Sequence, residues 1–438
     1  NYNNDGATGA DSLAAGVSAK ATGTKTIAIG TGATASYSSI PSTDTKALSE
    51  ASGAIAVGES ATASHNQAIA FGYTTKASGD RALAFGSSAQ SSGTSSIGIG
   101  SSANATGTGG TAVGNQSVSN GDSSSAYGAI AKATADAATA LGTRTTAGGH
   151  SAVAIGNSAS ATREAAIAIG RSSSGGIQDS IAIGRDAKTT ASTVAGDGNT
   201  GAIAIGRNSN AEGQGSTAMG INARSSGQSI AIGTNANNTG GTAQPIGAST
   251  VAIGNNANAQ SARSIAFGND AKAGLASAGT GVTAALAIGS ASVAEGQGSV
   301  VIGDSATNTR TTGNTSHPAA DQVVAIGVSS NVNSLGGMAL GSTAKTTGVY
   351  GTSIGIGTVN ETDFGVALGA LSSTDKNITV NRTGYLGDSY NDVALTVANA
   401  AGVNIAMISY YFGSKEKLLE KVIEERLSYL RNLFTELV

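Results

Sequence analysis

One short pattern limits most of what this chain can fold into. Ile-Ala-Ile-Gly, or a close variant, recurs every 14 residues along much of the sequence. A fixed period with glycine at a fixed phase is the signature of a solenoid, in which each repeat is one coil stacked on the next. The same phase reaches back to Gly30 and Gly16 and resumes from Gly206 to Gly369, with Gly357 counted as a member. The regular series of closing glycines, read as coil-turn residues, is Gly58, Gly72, Gly86, Gly100, Gly114, Gly128, Gly142, Gly156, Gly170 and Gly184.

The residues within each repeat predict two short strands. In the segment 166–170 two isoleucines alternate with alanine, a period of two that places both isoleucines on one side of a strand. After the glycine, alanine alternates with small polar residues, and we predict second strands such as 158–161, 256–259 and 270–273. Glycine and serine are expected to supply the positive-φ turns between the strands. The sequence therefore predicts an all-β parallel β-roll solenoid with 14-residue coils.

The isoleucine stripe has two possible destinations, the inside of the coil or the surface of a neighbouring chain. If alanine fills a narrow coil, the isoleucines form an exposed apolar stripe, which soluble monomers rarely carry. We therefore expect a side-by-side homo-oligomer with the stripe on a cyclic symmetry axis, although the spacing leaves the number of subunits open. The stripe comprises Ile27, Ile29, Ile55, Ile69, Ile97, Ile99, Ile167, Ile169, Ile181, Ile183, Ile203, Ile205, Ile230 and Ile232.

Composition excludes several function classes. The net charge is −3 and 12% of the residues are charged, so no basic field attracts nucleic acid or an anionic membrane. The chain has no cysteine and no apolar run of transmembrane length. Its three histidines, His65, His150 and His317, do not share one phase, and no metal-ligand or Ser-His-Asp spacing emerges. We predict no catalysis, no cofactor and no metal. The absence of a signal peptide at Asn1 predicts a piece of a longer protein.

The period is lengthened at five places, and these insertions are candidate binding loops. Insertions in a solenoid become loops on one side of the stack, often the binding side, although neutral drift at tolerant turns explains them equally well. Gly30 to Gly58 spans two periods, with the middle motif replaced around 38–44. The five inserts are 31–57, 185–205, 234–253, 269–288 and 304–326.

The repeats resemble a known family. Segments 151–159 and 249–257, Ser-Ala-Val-Ala-Ile-Gly-Asn-Ser-Ala and Ser-Thr-Val-Ala-Ile-Gly-Asn-Asn-Ala, are similar to the head repeat of trimeric autotransporter adhesins, the YadA-like head. The resemblance covers about residues 11 to 370 and matches in period, glycine phase and the alanine that follows. The asparagine-rich start and the long head are also similar to those of large Acinetobacter fibre adhesins. The spacing after Gly184 is less regular than the family pattern, and no stalk or anchor is evident.

The resemblance implies both a structure and a function. It implies a left-handed roll, three parallel chains, and attachment to the outer membrane of a Gram-negative bacterium through a stalk and β-barrel anchor. The expected function is adhesion to host surfaces, extracellular-matrix proteins or abiotic surfaces, with autoagglutination and biofilm formation. A spacer rod that holds another tip away from the cell is the alternative. Ice binding would need a threonine row, and the residues seven after the motif glycine are instead mostly glycine, as at Gly79 and Gly93.

The carboxy-terminal tail has a different composition. We divide the chain into a head at 1–370, a connecting segment at 371–390 and a helical tail at 391–438. Residues 415–438 are predicted to form a helix that Ser414 caps, with an apolar stripe that suits an amphipathic helix or a coiled coil. The stripe comprises Leu419, Ile423, Leu427, Leu430, Phe434 and Leu437.

Two resemblances compete within this tail. Segment 403–408 is similar to the short neck that closes such heads, and 397–419 is similar to the helix-turn-helix of TetR-family repressors. The second resemblance implies a recognition helix with Asn404, Met407, Ser409, Tyr410 and Tyr411, followed by a helix that starts at Lys415. From Lys415 onward the charges of five basic residues are balanced by those of five acidic residues, so this segment has no net electrostatic attraction to phosphate. We therefore expect a foreign helical segment joined to the head and no DNA binding.

Overall fold

The structure is a computed structural model that describes residues 6–36, 53–191, 200–238, 249–274, 284–309 and 321–374. The chain divides into two compact units, Asn1–Asn256 and Ala257–Val438, which we call unit 1 and unit 2. Both units are built from the same coil, a parallel β-solenoid turn with two short strands, and the described ranges contain no helix. The predicted helical tail at 391–438 lies outside the described residues.

In unit 1 each coil gives a first strand to one parallel sheet and a second strand to another. The first strands are β1 (Leu13–Ala15), β3 (Ile27–Ile29), β5 (Ile55–Val57), β7 (Ile69–Phe71), β9 (Leu83–Phe85), β11 (Ile97–Ile99), β13 (Thr111–Val113), β15 (Ser125–Tyr127), β17 (Thr139–Leu141), β19 (Val153–Ile155), β21 (Ile167–Ile169), β23 (Ile181–Ile183), β25 (Ile203–Ile205), β27 (Thr217–Met219), β29 (Ile230–Ile232) and β31 (Val251–Ile253). The second strands are β2 (Lys20–Ala21), β4 (Thr34–Ala35), β6 (Thr62–Ala63), β8 (Lys76–Ala77), β10 (Gln90–Ser91), β12 (Asn104–Ala105), β14 (Val118–Ser119), β16 (Lys132–Ala133), β18 (Thr146–Ala147), β20 (Ser160–Ala161), β22 (Ser174–Gly175), β24 (Lys188–Thr190), β26 (Asn210–Glu212), β28 (Arg224–Ser226) and β30 (Asn237–Asn238).

Unit 2 repeats this arrangement. Its first strands are β33 (Ile265–Phe267), β35 (Leu286–Ile288), β37 (Val300–Ile302), β39 (Val324–Ile326), β41 (Met338–Leu340), β43 (Thr352–Ile354) and β45 (Val366–Leu368). Its second strands are β32 (Asn258–Ala259), β34 (Lys272–Ala273), β36 (Val293–Ala294), β38 (Thr307–Asn308), β40 (Asn331–Val332), β42 (Lys345–Thr346), β44 (Val359–Asn360) and β46 (Ser373–Thr374). The last strand within the described residues ends four residues beyond position 370, where we predicted the head to stop.

Within each unit, every described strand pairs in parallel with the equivalent strand of a neighbouring coil. Between β19 and β21, for example, Val153, Ala154 and Ile155 lie opposite Ile167, Ala168 and Ile169. The 14-residue register stacks like residues in columns, so each position of the repeat forms one row along its unit. The predicted parallel β-solenoid with 14-residue coils is confirmed.

Alanine fills the interior of the coil. Four positions of a regular coil point inward, and Ala152, Ala154, Ala159 and Ala161 occupy them with no exposed surface. The side chains that flank the central alanine of each first strand lie on the opposite face of that strand, because neighbouring residues of a strand alternate in direction. The two destinations considered for the isoleucine stripe are thereby resolved: the isoleucines lie outside the coil.

The coil turns at left-handed residues, which recur every seven positions. Ser151 (φ 55°) and Ser158 (φ 57°) occupy the two corners of one coil. The prediction that glycine and serine supply these turns is only partly right, since asparagine, aspartate, arginine and glutamine also occur there. At each corner the backbone amide donates to the preceding coil, as Ser158 does to the Thr143 carbonyl at 2.9 Å. This inter-coil bond offsets the conformational cost of a positive φ.

The predicted second strands began too early. In 158–161, 256–259 and 270–273 the first residue has a φ between 53° and 57° and belongs to the corner. The strands start two residues later, at Ser160, Asn258 and Lys272. Alternation of alanine with polar residues continues through the corner, so the sequence pattern alone does not mark where the strand begins.

The motif glycine is required for a different reason from the corner residues. Gly156 has a φ of 125°, and a Cβ built there would lie 2.7 Å from the carbonyl oxygen of Gly170 in the next coil. Backbone stacks on backbone at this position, which excludes any side chain. The phase places Gly355 (φ 131°) in this column, and Gly357 (φ 64°) lies two residues later at a corner. Our assignment of Gly357 as a motif glycine was therefore wrong.

The five breaks in the period lie at one corner of the coil. Ile29 pairs directly with Val57, so Gly30 and Gly58 belong to adjacent coils. Our prediction of a degenerate coil between these two glycines was therefore wrong. The described chain stops after the second strands β4, β24, β30, β34 and β38 and resumes before the first strands β5, β25, β31, β35 and β39. The intervening segments, 37–52, 192–199, 239–248, 275–283 and 310–320, lie outside the described residues.

In unit 2 the interior also accepts larger polar residues. Asn360 is fully buried, and its side-chain oxygen accepts hydrogen bonds from the Thr362 amide and the Thr374 hydroxyl, both at 2.9 Å. Two glycines make room for it. A Cβ at Gly365 would lie 2.9 Å from the Asn360 side-chain oxygen, and one at Gly351 would lie 3.0 Å from its nitrogen. Interior volume is therefore conserved by pairing a larger residue with a glycine.

One corner of unit 1 carries a ladder of asparagine side chains. Asn208, Asn222, Asn235 and Asn256 occupy the left-handed corner after the motif glycine in four successive coils. Each side-chain amide donates to the next side-chain oxygen, at 3.2, 2.9 and 3.1 Å. The register of this region is therefore reinforced at the surface as well as through the backbone.

We expect the ladder to contribute measurably to stability. Asn222→Ser removes two ladder hydrogen bonds and should lower the free energy of unfolding by about 1 kcal/mol, because each exposed bond is worth little. Asn208→Ser removes one and should cost about half as much. Serine occupies the same corner at Ser158 and Ser172 with a similar φ, so backbone strain is matched. Urea unfolding of the three proteins would measure this, and equal stability for both variants and the parent would contradict it.

Candidate subunit interface and binding surface

The outer face of the first strands is an exposed apolar surface. In unit 1 it carries Ile29 at 39% exposure and Ile69 at 36%, and in unit 2 Ile265 at 40% and Ile326 at 39%. The face continues through every coil of each unit, because like positions stack in register. An apolar surface of this length is larger than the patches that soluble monomers tolerate.

All fourteen residues of the predicted stripe lie on this face in unit 1. Ile29, Ile69, Ile183, Ile230 and Ile232 are exposed. The other nine, Ile27, Ile55, Ile97, Ile99, Ile167, Ile169, Ile181, Ile203 and Ile205, are half-buried by their neighbours along the stack, and none is buried in the coil. The structure thus places them in two parallel rows, one on each side of the central alanine or glycine of the strand.

Aromatic residues extend the same face, and our sequence reasoning missed them. Phe71 and Phe85 replace the second isoleucine in successive coils, and their rings stack with centroids 4.9 Å apart and planes 6° from parallel. They are 45% and 47% exposed. The signal was present as Ile-Ala-Phe-Gly and Leu-Ala-Phe-Gly, which share the motif's phase but were not counted among the isoleucines. Tyr127 occupies the same row at 42% exposure.

The outer face of the second strands is polar. Its outward side chains in successive coils of unit 1 include Lys132, Thr146, Ser160, Ser174 and Lys188, all exposed or half-buried. Most coils therefore present one apolar face and one face of small hydroxyl, amide and charged groups, with valine as the outward residue at Val118, Val293 and Val359. The two faces differ in what they suit: the first suits another protein surface, and the second suits water or a polar ligand.

The residues considered for other chemistry do not converge. His65 and His150 lie at the corner after the second strand in two different coils, one position out of phase, and contact the neighbouring hydroxyls of Ser64 and Ser151 at 3.3 and 3.1 Å. Within the described ranges, no group of three or more histidine, cysteine or acidic residues is placed to hold a metal ion. His317 and the helix-turn-helix residues Asn404, Met407, Ser409, Tyr410, Tyr411 and Lys415 lie outside the described residues. The described part of the chain has no helix long and apolar enough to cross a membrane.

Comparison with known families identifies the repeat. The model of the YadA head domain repeat matches ten segments: 7–33, 49–75, 66–89, 77–103, 91–117, 119–145, 147–173, 199–223, 246–271 and 283–306. Together they cover just over half of the chain, and they fall in both units. No curated protein matches the chain. The matched segments contain the same Ile-Ala-Ile-Gly coils whose interior alanines and stacked glycines are described above, and the chain belongs to the family of YadA head domain repeats.

Proposed function

We propose that this chain is the head of a trimeric autotransporter adhesin, with three copies packed side by side through the outer face of the first strands. The observation that carries the proposal is the apolar outer face of the first strands within each unit, whose exposed isoleucines and phenylalanines have 36–51% of their surface open to solvent in a single chain. Burial of such a face against two other copies would stabilise the assembly by roughly 25 cal/mol per Å² of apolar surface. Membership of the repeat family supports three as the subunit number and left-handed as the sense of the coil.

The head serves adhesion and not catalysis in this proposal. A passenger of this kind lies outside the cell, anchored in the outer membrane of a Gram-negative bacterium. Host surfaces, matrix proteins or abiotic materials contact the polar second-strand faces and corners, which remain outside when the first strands pack together. Many coils repeat similar side chains, so weak contacts multiply through effective concentration. Autoagglutination and biofilm formation would follow from contacts between heads on different cells.

The five insertions are the strongest candidates for specific contacts. They interrupt the described chain at the same corner of the coil, after the second strand, so their ends lie on one side of each unit. The regular coil tolerates them there, since the flanking first strands still pair in register, as Ile183 does with Ile205 across the insertion at 192–199.

A surface-display experiment tests the adhesion proposal. The head is displayed on a non-adherent bacterial cell, and attachment is measured on matrix-protein coats, glass and plastic. Each insertion is then trimmed until the flanking motif glycines are again 14 residues apart, as between Gly156 and Gly170. We expect the parent head to adhere and at least one trimmed variant to lose most attachment. Undiminished attachment for all five would move the binding surface to the regular coils, and no attachment by the displayed parent would favour the spacer function.

A further inference from the structure

Three arginines form one row on unit 1. Arg171, Arg185 and Arg207 each follow the motif glycine in three successive coils, and all three are exposed. Their backbones are held in register, because the Arg171 and Arg185 carbonyls accept hydrogen bonds from the amides of Asp186 and Asn208, both at 2.9 Å. With coils about 4.8 Å apart, the row runs about 10 Å along the stack.

Other cations lie beside this row. Lys188 and Arg224 lie on the outer face of the second strands, and both are exposed. Lys188 is three residues after Arg185, and Arg224 occupies the equivalent position in the coil that follows Arg207. In the three coils of the row, Asp186 is the one described acidic residue at this corner, and its carboxylate lies 3.7 Å from Nε of Arg185. Glu212 is at the far end of its second strand, and Asp179 is at the opposite corner of the coil. Among the described residues, Arg185 is the one member of the row with an acidic partner within 4 Å.

The fold does not require arginine in this row. The same position holds Thr31, Glu59, Tyr73 or Ile221 in other coils, so the corner accepts side chains of different size and polarity. Only 12% of the chain is charged, yet three cations follow one another in one column. Stacked like charges repel, and solvent reduces but does not abolish that cost. A ligand with repeated negative charges would turn this repulsion into attraction.

We propose that the row of Arg171, Arg185 and Arg207 binds a linear sulfated polysaccharide. The planar guanidinium donates two parallel hydrogen bonds to a sulfate or carboxylate group, which a lysine ammonium cannot do. The row is one side chain wide and extends along the stack, so it suits a thin chain with anionic groups at intervals better than a compact ion. Duplex DNA would need a broader basic field than a chain of net charge −3 provides. This proposal identifies one partner for the surface attachment proposed above, and it rests on that proposed function.

Heparin is a practical probe for the whole head. We expect the parent protein to bind immobilised heparin at low ionic strength and to be released by salt, because exposed charges are screened. Arg171→Gln, Arg185→Gln and Arg207→Gln combined should raise the Kd about tenfold or more, since three charge-assisted contacts are lost. The matched control combines Arg81→Gln, Arg163→Gln and Arg263→Gln, three exposed arginines at the opposite corner of their coils, and should change the Kd less than threefold, roughly the effect of net charge alone.

The possible outcomes separate this proposal from others. Equal loss in both triple variants would overturn it in favour of a general charge effect, and absence of heparin binding by the parent would overturn it outright. Duplex DNA that bound through the same arginines as tightly as heparin would replace the polysaccharide by nucleic acid. Circular dichroism and sedimentation are used to check that each variant keeps its fold and assembly. Adhesion of the displayed head to protein-coated and bare surfaces is measured in parallel, so failure here with adhesion intact leaves the adhesin function standing.

Discussion

Ile169→Asp combined with Ile183→Asp should dissociate the head or prevent its folding. The two residues are Cα partners on the outer face of adjacent first strands. In a single chain Ile169 is half-buried and Ile183 is 36% exposed. In a lone chain the new carboxylates would reach water at modest cost. If the face is buried between three subunits, six carboxylates would be enclosed without partners, and each unpaired buried charge costs several kcal/mol. Sedimentation velocity of the parent and variant heads measures the change.

A matched control separates the interface from a general effect of added charge. Ser160→Asp with Ser174→Asp places the same two charges in adjacent coils on the outer face of the second strands. Both serines are half-buried, as Ile169 is, so the local environments are comparable. We expect this control to assemble like the parent. A folded, soluble monomer for the parent head, or unchanged assembly of the isoleucine variant, would refute the side-by-side trimer.

Gly156→Ala should destabilise the head by about 2–5 kcal/mol per chain. Its φ of 125° lies where residues with a side chain pay strain, and the added Cβ would lie 2.7 Å from the Gly170 carbonyl oxygen. Backbone cannot move aside as a flexible side chain can, so the two coils must separate. Contacts in a solenoid are confined to neighbouring coils, and we therefore expect the damage to stay local. Thermal unfolding measures the loss, and limited proteolysis should cut first near this coil.

Gly148→Ala is the control for this substitution. Gly148 directly follows the second strand β18, and its φ is not positive. A Cβ built there would lie 3.7 Å from its nearest atoms, which is an ordinary van der Waals distance. The alanine should therefore be neutral or slightly stabilising, because it restricts the unfolded chain. Equal destabilisation by the two substitutions would show that glycine content, and not the stacked column, limits stability.

The sequence alone determined the coil and its period. The 14-residue spacing of the motif glycine, with alanine between two isoleucines, was enough to predict parallel strands and the separation of small from large side chains. These features are local and repeat many times, so the same prediction of period and strand position is made independently by each repeat. The pattern was less informative at corners, where Ser158 looks like a strand residue although its φ is 57°. Left-handed corners accept many residue types when an inter-coil hydrogen bond holds them, and composition therefore does not mark them.

Only the tertiary structure decided which residues share a row and which side of the strand faces out. Insertions shift the numbering between coils, and the sequence alone suggested a degenerate coil between Gly30 and Gly58, whereas the pairing of Ile29 with Val57 shows that these two glycines belong to adjacent coils. The same registration identified Gly355 as the stacked glycine in place of Gly357. The choice between an isoleucine core and an alanine core depended on the width of the closed coil. That width is set by backbone stacking and turn geometry around the whole circuit, and no single repeat of the sequence specifies it.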